Sequence, residues 1–337
     1  MTETRPALVT GASGFIGGKI VARLLDEGRR VRAYARRPLP ELAARGAEVA
    51  IGDLHDAAAL ARACRGVGTV FHVAARVDVW GPADDFFHVN VGGTGTLLGA
   101  ARDAAVERFV FTSTPSVVYT GADQRGVDET APLCTAAPCA YPTSKAAAER
   151  LVRAANAPGF PTIALRPHLV WGPGDRHLVP RVVALARAGR LRIVGSGDNR
   201  VDLVHIDNVV DAHLLAERAL AAPGAAAAGR AYFITNGAPV ALWSWVNDLL
   251  VRLDLPPVRR RISRRAATAL GAVCEGLWSL LPLRGGPPMT RFAAEELATD
   301  HWFSIEAARR DLGYVPRVTM AAGFEELVAY LRQGGTY

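Results

Sequence analysis

The chain has 337 residues, half of them hydrophobic and 21% charged, enough for a large buried core in one domain or in two closely joined ones. Its formal charge of +7 comes from arginines dispersed among 32 acids, with no recognition motif attached, which argues against nucleic-acid binding. The four cysteines (Cys64, Cys134, Cys139 and Cys274) show neither CxxC nor Cys/His metal spacing, so a disulfide scaffold and a cysteine metal site are set aside and no metal is expected.

The opening MTETRPALVTG runs straight into a strand signal without a charged stretch and an apolar leader, so cytoplasmic residence is the expectation. ALVTG is the first strand candidate, and VTGASGFIGG puts Gly11, Gly14 and Gly17 between it and a helical run over 15–27. In that pattern the first glycine makes the turn, the second admits a diphosphate close to the backbone and the third lets helix pack on strand. Ser13, Phe15 and Ile16 complete this candidate cofactor loop, where the helix N-terminus offers amide donors to an anion. The second strand, VRAYA, ends at Ala35, where dinucleotide-binding chains commonly carry an acid for the adenosine ribose. Arg36 and Arg37 follow instead, and guanidinium groups grip a 2′-phosphate, so NADP(H) is expected over NAD(H).

AEVAIGD, GTVFHVAA, RFVFTST and PTIALRP continue the rhythm of short apolar runs, with a further helical run over 90–105. Strands alternating with helices predict an α/β fold with a doubly wound parallel Rossmann sheet. Between the last two strand candidates stands CAYPTSKAAAER. Only Lys19 and Lys145 among the 39 basic residues are lysine, and Lys145 lies four residues past Tyr141, on the same face of a helix that Pro142 can open. An ammonium there could lower the phenol's pKa and hold ribose hydroxyls, a task for which a guanidinium is too broad.

Beyond WGPGD (171–175) the pattern loosens into helix-like LVPRVVALARAG, strand-like LRIVG and VDLVHI, a helical run over 207–221, strand-like RAYFITN, and a mostly helical tail from Leu242. The predicted division is a Rossmann domain over 1–175, its sheet completed by 201–237, and a smaller, mostly helical substrate lobe from 176–200 and 238–337. The apolar run 266–283 is broken by Gly271, Glu275, Gly276 and Pro282, which makes it too interrupted for a membrane span. With five arginines ahead of it, 259–283 is a candidate for peripheral membrane or pathway-enzyme contact, or else a buried helix.

TGASGFIG and YPTSK, followed in order by GDL, HVAA, VNVGGT, FTSTPSVVY, LRP and VHIDNVVDAH, make the chain resemble the extended short-chain dehydrogenase/reductases over nearly its whole length, in the branch like the 3β-hydroxysteroid dehydrogenases. That resemblance implies an NAD(P)-dependent oxidoreductase with a Ser/Thr, Tyr, Lys catalytic set, here Tyr141 and Lys145 with Thr114, or Ser113 as second choice. Threonine where serine is usual is a departure from the family. It further implies that Asp53 and Leu54 meet the adenine, that Ala74, Ala75 and Thr112 line the cofactor, that Asn90 supports the active-site helix, and that Pro167 approaches the nicotinamide.

Closer within the branch, FTSTPSVV, LRPHLVWGPGDRHLVPR, AYFITNG and MTRFAAEELATDHWFS look like the bacterial ketoreductases of long-chain olefin biosynthesis, which use NADPH to reduce the 3-oxo group of 2-alkyl-3-oxoalkanoic acids. The implied partner is a small-molecule long-chain β-keto acid, and a homo-oligomer is expected. Such a substrate calls for an apolar tunnel, with Trp80, Phe86, Trp171 and the helix over 266–281 bearing Trp278 as candidates. It also calls for a cationic end, with His168, Arg176 and His177 as candidates. A 3β-hydroxysteroid or sterol dehydrogenase, a nucleotide-sugar enzyme and a non-catalytic NADPH-binding scaffold stay open as alternatives.

Overall fold

The computed structural model describes residues 5–335. Seven parallel strands form the central sheet: β1 (Ala7–Thr10), β2 (Val31–Ala35), β3 (Glu48–Ile51), β4 (Thr69–His72), β5 (Arg108–Thr112), β6 (Thr162–Pro167) and β7 (Ala231–Ile234). Their spatial order is β7-β6-β5-β4-β1-β2-β3. The order reverses at β1, which lies between β4 and β2, and at such a switch point a crevice opens beyond the carboxyl ends of the strands.

These segments are strands because they are short and rich in branched and aromatic residues, and all but the edge strand β3 are buried on both faces. Successive residues feed opposite cores, as the two-residue period requires. Val110, Ile163 and Leu165 face a core shared with Ile20, Val21 and Leu24 of α1 (Phe15–Asp26), whereas Phe109, Phe111 and Ala164 face the core that holds Leu97 of α2 (Gly93–Asp103) and Val152 of α3 (Ala140–Ala154). Each fully buried aliphatic side chain contributes about 1.5–3 kcal/mol to this arrangement. The fold is therefore the expected α/β doubly wound Rossmann sheet.

A third core, built around Trp171, Val183, Trp243 and Leu249, sits in the lobe over the strand ends. The lobe is joined to the first half by a small sheet that the sequence did not announce. Strands Val240–Ala241, Arg200–Val201, His301–Phe303 and Gln124–Val127 lie side by side, pairing residues up to 177 positions apart in the chain. Runs of two to four residues carry too little periodicity to be read, and one of them interrupts the tail read as mostly helical. Ile305, Ala308, Leu312 and Tyr314 pack into the sheet-side core, although the predicted division gives 238–337 to the lobe.

Helix α4 (Arg264–Leu280) is capped by Ser263, whose hydroxyl accepts from the Ala266 amide at 3.2 Å. Gly271 makes its inner face approach closely: a Cβ there would stand 2.6 Å from the backbone of Thr290 and Arg291. The outer face carries Leu270, Val273, Leu277 and Leu280 in the open, the last 83% exposed, so α4 is half-covered rather than buried. Among the described residues no helix is long and apolar enough to cross a membrane.

Candidate active site

The glycine loop leaves β1 through Gly11 at φ +67°, a conformation suited to glycine, and a Cβ there would fall 2.7 Å from the Ala74 amide nitrogen. At Gly17 a Cβ would meet the Gly11 carbonyl oxygen at 2.3 Å, so strand and helix close on each other only because both residues lack side chains. Gly14 caps α1 with no side-chain acceptor, leaving that helix end uncapped beside exposed Ser13, with Phe15 and Ile16 half-buried. The crowded turn and the uncapped amides fit a diphosphate. Past the end of β2, Arg36 and Arg37 are exposed and make no ion pair among the described residues, so both guanidinium groups are free for a phosphate. Asp53 is exposed at the same rim, its backbone carbonyl held by the Tyr34 hydroxyl at 2.8 Å, and Leu54 beside it is buried.

The loop after β4 is fixed by polar contacts to its neighbours. Thr10 Oγ1 accepts from the amides of Val73 and Ala74, both at 3.2 Å, and sits 2.8 Å from His72 Nδ1. His72 Nε2 lies 2.9 Å from Thr94 Oγ1, whose own proton goes to the Asn90 carbonyl at 2.6 Å; the ring therefore donates to Thr94 and accepts from Thr10 as a neutral imidazole. Burial, reinforced by Lys145, drives the pKa of His72 down to about 3. Ala74 and Ala75, half-buried, lead to Arg76, whose amide and carbonyl are both held by the buried Asn90 side chain at 2.8 and 3.0 Å. Asn90 Nδ2 also donates to Ser144 Oγ at 3.0 Å, tying this loop to α3, and it can reach both because it stands on a π-turn over His88–Gly92.

Tyr141 and Lys145 are indeed one turn apart on α3, at the end of β5. Burial raises the pKa of the Tyr141 phenol to about 12, the neighbouring Thr114 hydroxyl alone opposing while Cys139 and Glu296 add to the rise. Lys145 Nζ donates to the Thr112 carbonyl at 2.7 Å and lies 4.1 Å from the centre of the Phe111 ring. Burial brings its own pKa down to about 7, against the pull of Glu149.

Thr112 and Ser113 are also engaged. The Thr112 hydroxyl bonds His213 Nε2 at 2.8 Å, and the Ser113 hydroxyl donates to Glu149 Oε2 at 2.6 Å. Glu149 is fully buried and forks with fully buried Arg166 at 2.6 and 3.0 Å, a pair the sequence reading did not single out. The arrangement leaves Thr114 as the hydroxyl beside the phenol and makes Ser113 part of the packing beneath it.

The substrate candidates scatter. Trp171 is fully buried against His205 and Trp245, so it is a core residue of the lobe with no surface for a ligand. Phe86 is enclosed under the Arg76 guanidinium, 4.8 Å from its ring centre, and Trp80 is half-buried near Gly286. His168 lies beyond buried Pro167 with its Nε2 2.6 Å from His301 Nδ1, while His301 Nε2 gives its proton to the Glu296 carbonyl at 2.7 Å. Burial, with His301 adding to it, holds the pKa of His168 well below the usual range, so His168 supplies no cation. His177 is exposed at the start of the following helix, and Arg176 leans on the Ser13 carbonyl at 3.2 Å, at the glycine loop. Unanticipated neighbours of Tyr141 are Cys139 and Glu296, the carboxyl of the latter raised in pKa by burial.

Residues 8–263 match the 3-beta hydroxysteroid dehydrogenase/isomerase family. The chain is 47% identical to a 2-alkyl-3-oxoalkanoate reductase of Stenotrophomonas maltophilia over 96% of its own length and 98% of the relative's. It is 41% identical to one of Shewanella oneidensis over 96% and 86%. A 3 beta-hydroxysteroid dehydrogenase/Delta 5-->4-isomerase of Mycobacterium tuberculosis is 37% identical over 98% and 91%. Among solved structures, a short-chain dehydrogenase/reductase superfamily protein of Agrobacterium tumefaciens with bound NAD superposes with TM-score 0.75 at 26% identity, covering 98% of both chains.

Proposed function

The chain belongs to the 3-beta hydroxysteroid dehydrogenase/isomerase family and is an oxidoreductase, and from that premise we propose that it reduces the 3-oxo group of 2-alkyl-3-oxoalkanoic acids to the 3-hydroxy acids with NADPH, as a step of olefin or β-lactone hydrocarbon biosynthesis. The observation that carries the reading is the Tyr141 phenol beside the Thr114 hydroxyl, one turn of α3 from Lys145, whose Nζ reaches the Thr112 carbonyl at the end of β5. Relatives at 47% and 41% identity that bear the name of this reductase support the substrate class.

The cofactor would be held by Gly11, Gly14 and Gly17 at its diphosphate, by Arg36 and Arg37 at its 2′-phosphate, by Asp53 and Leu54 at its adenine, and by Ala74, Ala75 and Pro167 along its length. Bound there, NADPH supplies the hydride that adds to the ketone carbon. Tyr141 delivers its phenolic proton to the ketone oxygen as charge grows on it, and Thr114 donates a hydrogen bond to the same oxygen. Lys145 has its stem buried and its Nζ at the Thr112 carbonyl, where it is placed to turn toward a ribose. With a pKa near 7 it exchanges protons readily at physiological pH.

The 37% identity to a steroid dehydrogenase keeps one second reading in play, oxidation of a 3β-hydroxysteroid by the same residues. A spectrophotometric assay of NADPH and NADH oxidation over 2-alkyl-3-oxo acids, unbranched β-keto acids and 3-ketosteroids tests the proposal. Turnover fastest with NADPH and the 2-alkyl acids is expected. Activity confined to the steroids, or a preference for NADH, would overturn the substrate or the cofactor assignment respectively.

A further inference from the structure

The segment WGPGDR folds back from the lobe onto the glycine loop. Gly172 and Gly174 both have positive φ, at +138° and +89°, and a Cβ on Gly174 would stand 3.8 Å from the Phe15 ring. Asp175, only 4% exposed, accepts from three backbone amides in succession: His177 at 2.7 Å and Leu178 at 3.2 Å on Oδ1, and Val179 at 2.8 Å on Oδ2. This pins the elbow and caps the helix Leu178–Arg187, whose Val179 and Val183 enter the lobe core. The residue held at the tip of the elbow is Arg176. Its contact is a hydrogen bond from Nη1 to the Ser13 carbonyl at 3.2 Å, and it pairs with no carboxylate among the described residues, whereas many arginines of this chain have acidic partners. Four of its five N–H donors stay open above the uncapped amides at the head of α1.

We infer that Arg176 is a ligand of the cofactor's diphosphate, reaching it from the substrate lobe, rather than a receptor for the substrate carboxylate as its place in the sequence suggests. A guanidinium on that rim would meet the two phosphoryl groups of a bound dinucleotide and can fork between them. Strand β5, at whose end Lys145 bonds the Thr112 carbonyl, lies two strand spacings, about 10 Å, from β1 and its glycine loop. Because the elbow begins the lobe's first helix, binding the diphosphate also ties the lobe to the loaded Rossmann domain. The inference rests on the dinucleotide reading above.

The test is equilibrium binding, followed by protein fluorescence and calorimetry, of wild type, Arg176→Ala and Arg176→Lys to three probes. NADPH carries everything, 2′-phospho-ADP-ribose keeps the diphosphate without the nicotinamide, and 2′-AMP lacks the diphosphate; NADH, ADP-ribose and adenosine form the parallel set without a 2′-phosphate. Loss of a charge-assisted contact predicts that Arg176→Ala weakens NADPH and 2′-phospho-ADP-ribose about ten- to a hundredfold, leaves 2′-AMP within about twofold, and is partly restored by lysine. NADPH affinity unchanged with a raised KM for the oxo acid would return Arg176 to the carboxylate and overturn the inference. An equal loss for 2′-AMP would overturn it too, placing the effect at the adenosine end. Failure of the underlying reading is separately visible, because wild type would then bind neither dinucleotide set.

Discussion

Ser113 and Thr114 are adjacent in the chain, yet the structure gives them opposite work, and exchanging each hydroxyl separates the two. The Ser113 hydroxyl donates to a buried carboxylate at 2.6 Å, so Ser113→Ala removes one hydrogen bond to an ionised acceptor, worth about 1.5–3 kcal/mol, while the Arg166 fork keeps Glu149 paired. Urea unfolding should report that loss, with kcat within about threefold of wild type. The Thr114 hydroxyl accepts from the Ser116 amide at 3.3 Å and lies beside the phenol, so Thr114→Ala forfeits a weak cap of about 1 kcal/mol and the donor to the developing alkoxide. Removal of one such donor costs about a hundred- to a thousandfold in kcat, and Thr114→Ser, which keeps the hydroxyl, should recover most of it. The reverse pattern, with Ser113→Ala catalytically crippled and Thr114→Ala active, would refute the assignment.

Glu149→Ala strands the fully buried Arg166 guanidinium without its counter-charge and should destabilise the fold by about 3–5 kcal/mol, read from the urea midpoint; a loss under about 1 kcal/mol would mean that the pair is not buried as described. His72 and His213 are held neutral, with burial as the main cause of pKa values lowered to about 3 and about 4 from 6.5. Above pH 6.5 neither costs stability. As pH falls below it the unfolded chain takes up the protons that the native state refuses, so stability should drop by about 1.4 kcal/mol per pH unit for each histidine down to about pH 4. Unfolding free energies measured at pH 7, 6 and 5 check the slope, and His72→Gln should reduce it by about half of the two-histidine share.

The sheet was legible because its strands are consecutive apolar runs, such as TIALRP and AYFI, bounded by turns, and the glycine loop was legible because three positions along ten residues carry one geometric demand. What could not be read is pairing across distance. Nothing local in Gln124–Val127 announces a partner at His301–Phe303, and nothing in the stretch between Glu149 and Arg166 marks them as an ion pair. The same limit explains Lys145. Its spacing from Tyr141 is a property of one helix and is legible, whereas its contact with the Thr112 carbonyl depends on a strand thirty-three residues earlier. Residue type alone makes Trp171 and His168 ligand-contact candidates, whereas burial makes one a core residue and holds the other neutral.

The account depends most on the Tyr141 phenol as the proton source, and replacing it with phenylalanine tests that directly. In single-turnover mixing of enzyme, NADPH and a 2-alkyl-3-oxo acid, Tyr141→Phe should bind NADPH with unchanged affinity and oxidise it about a hundred- to ten-thousandfold more slowly than wild type. A variant that retained a rate within about threefold of wild type would contradict the account.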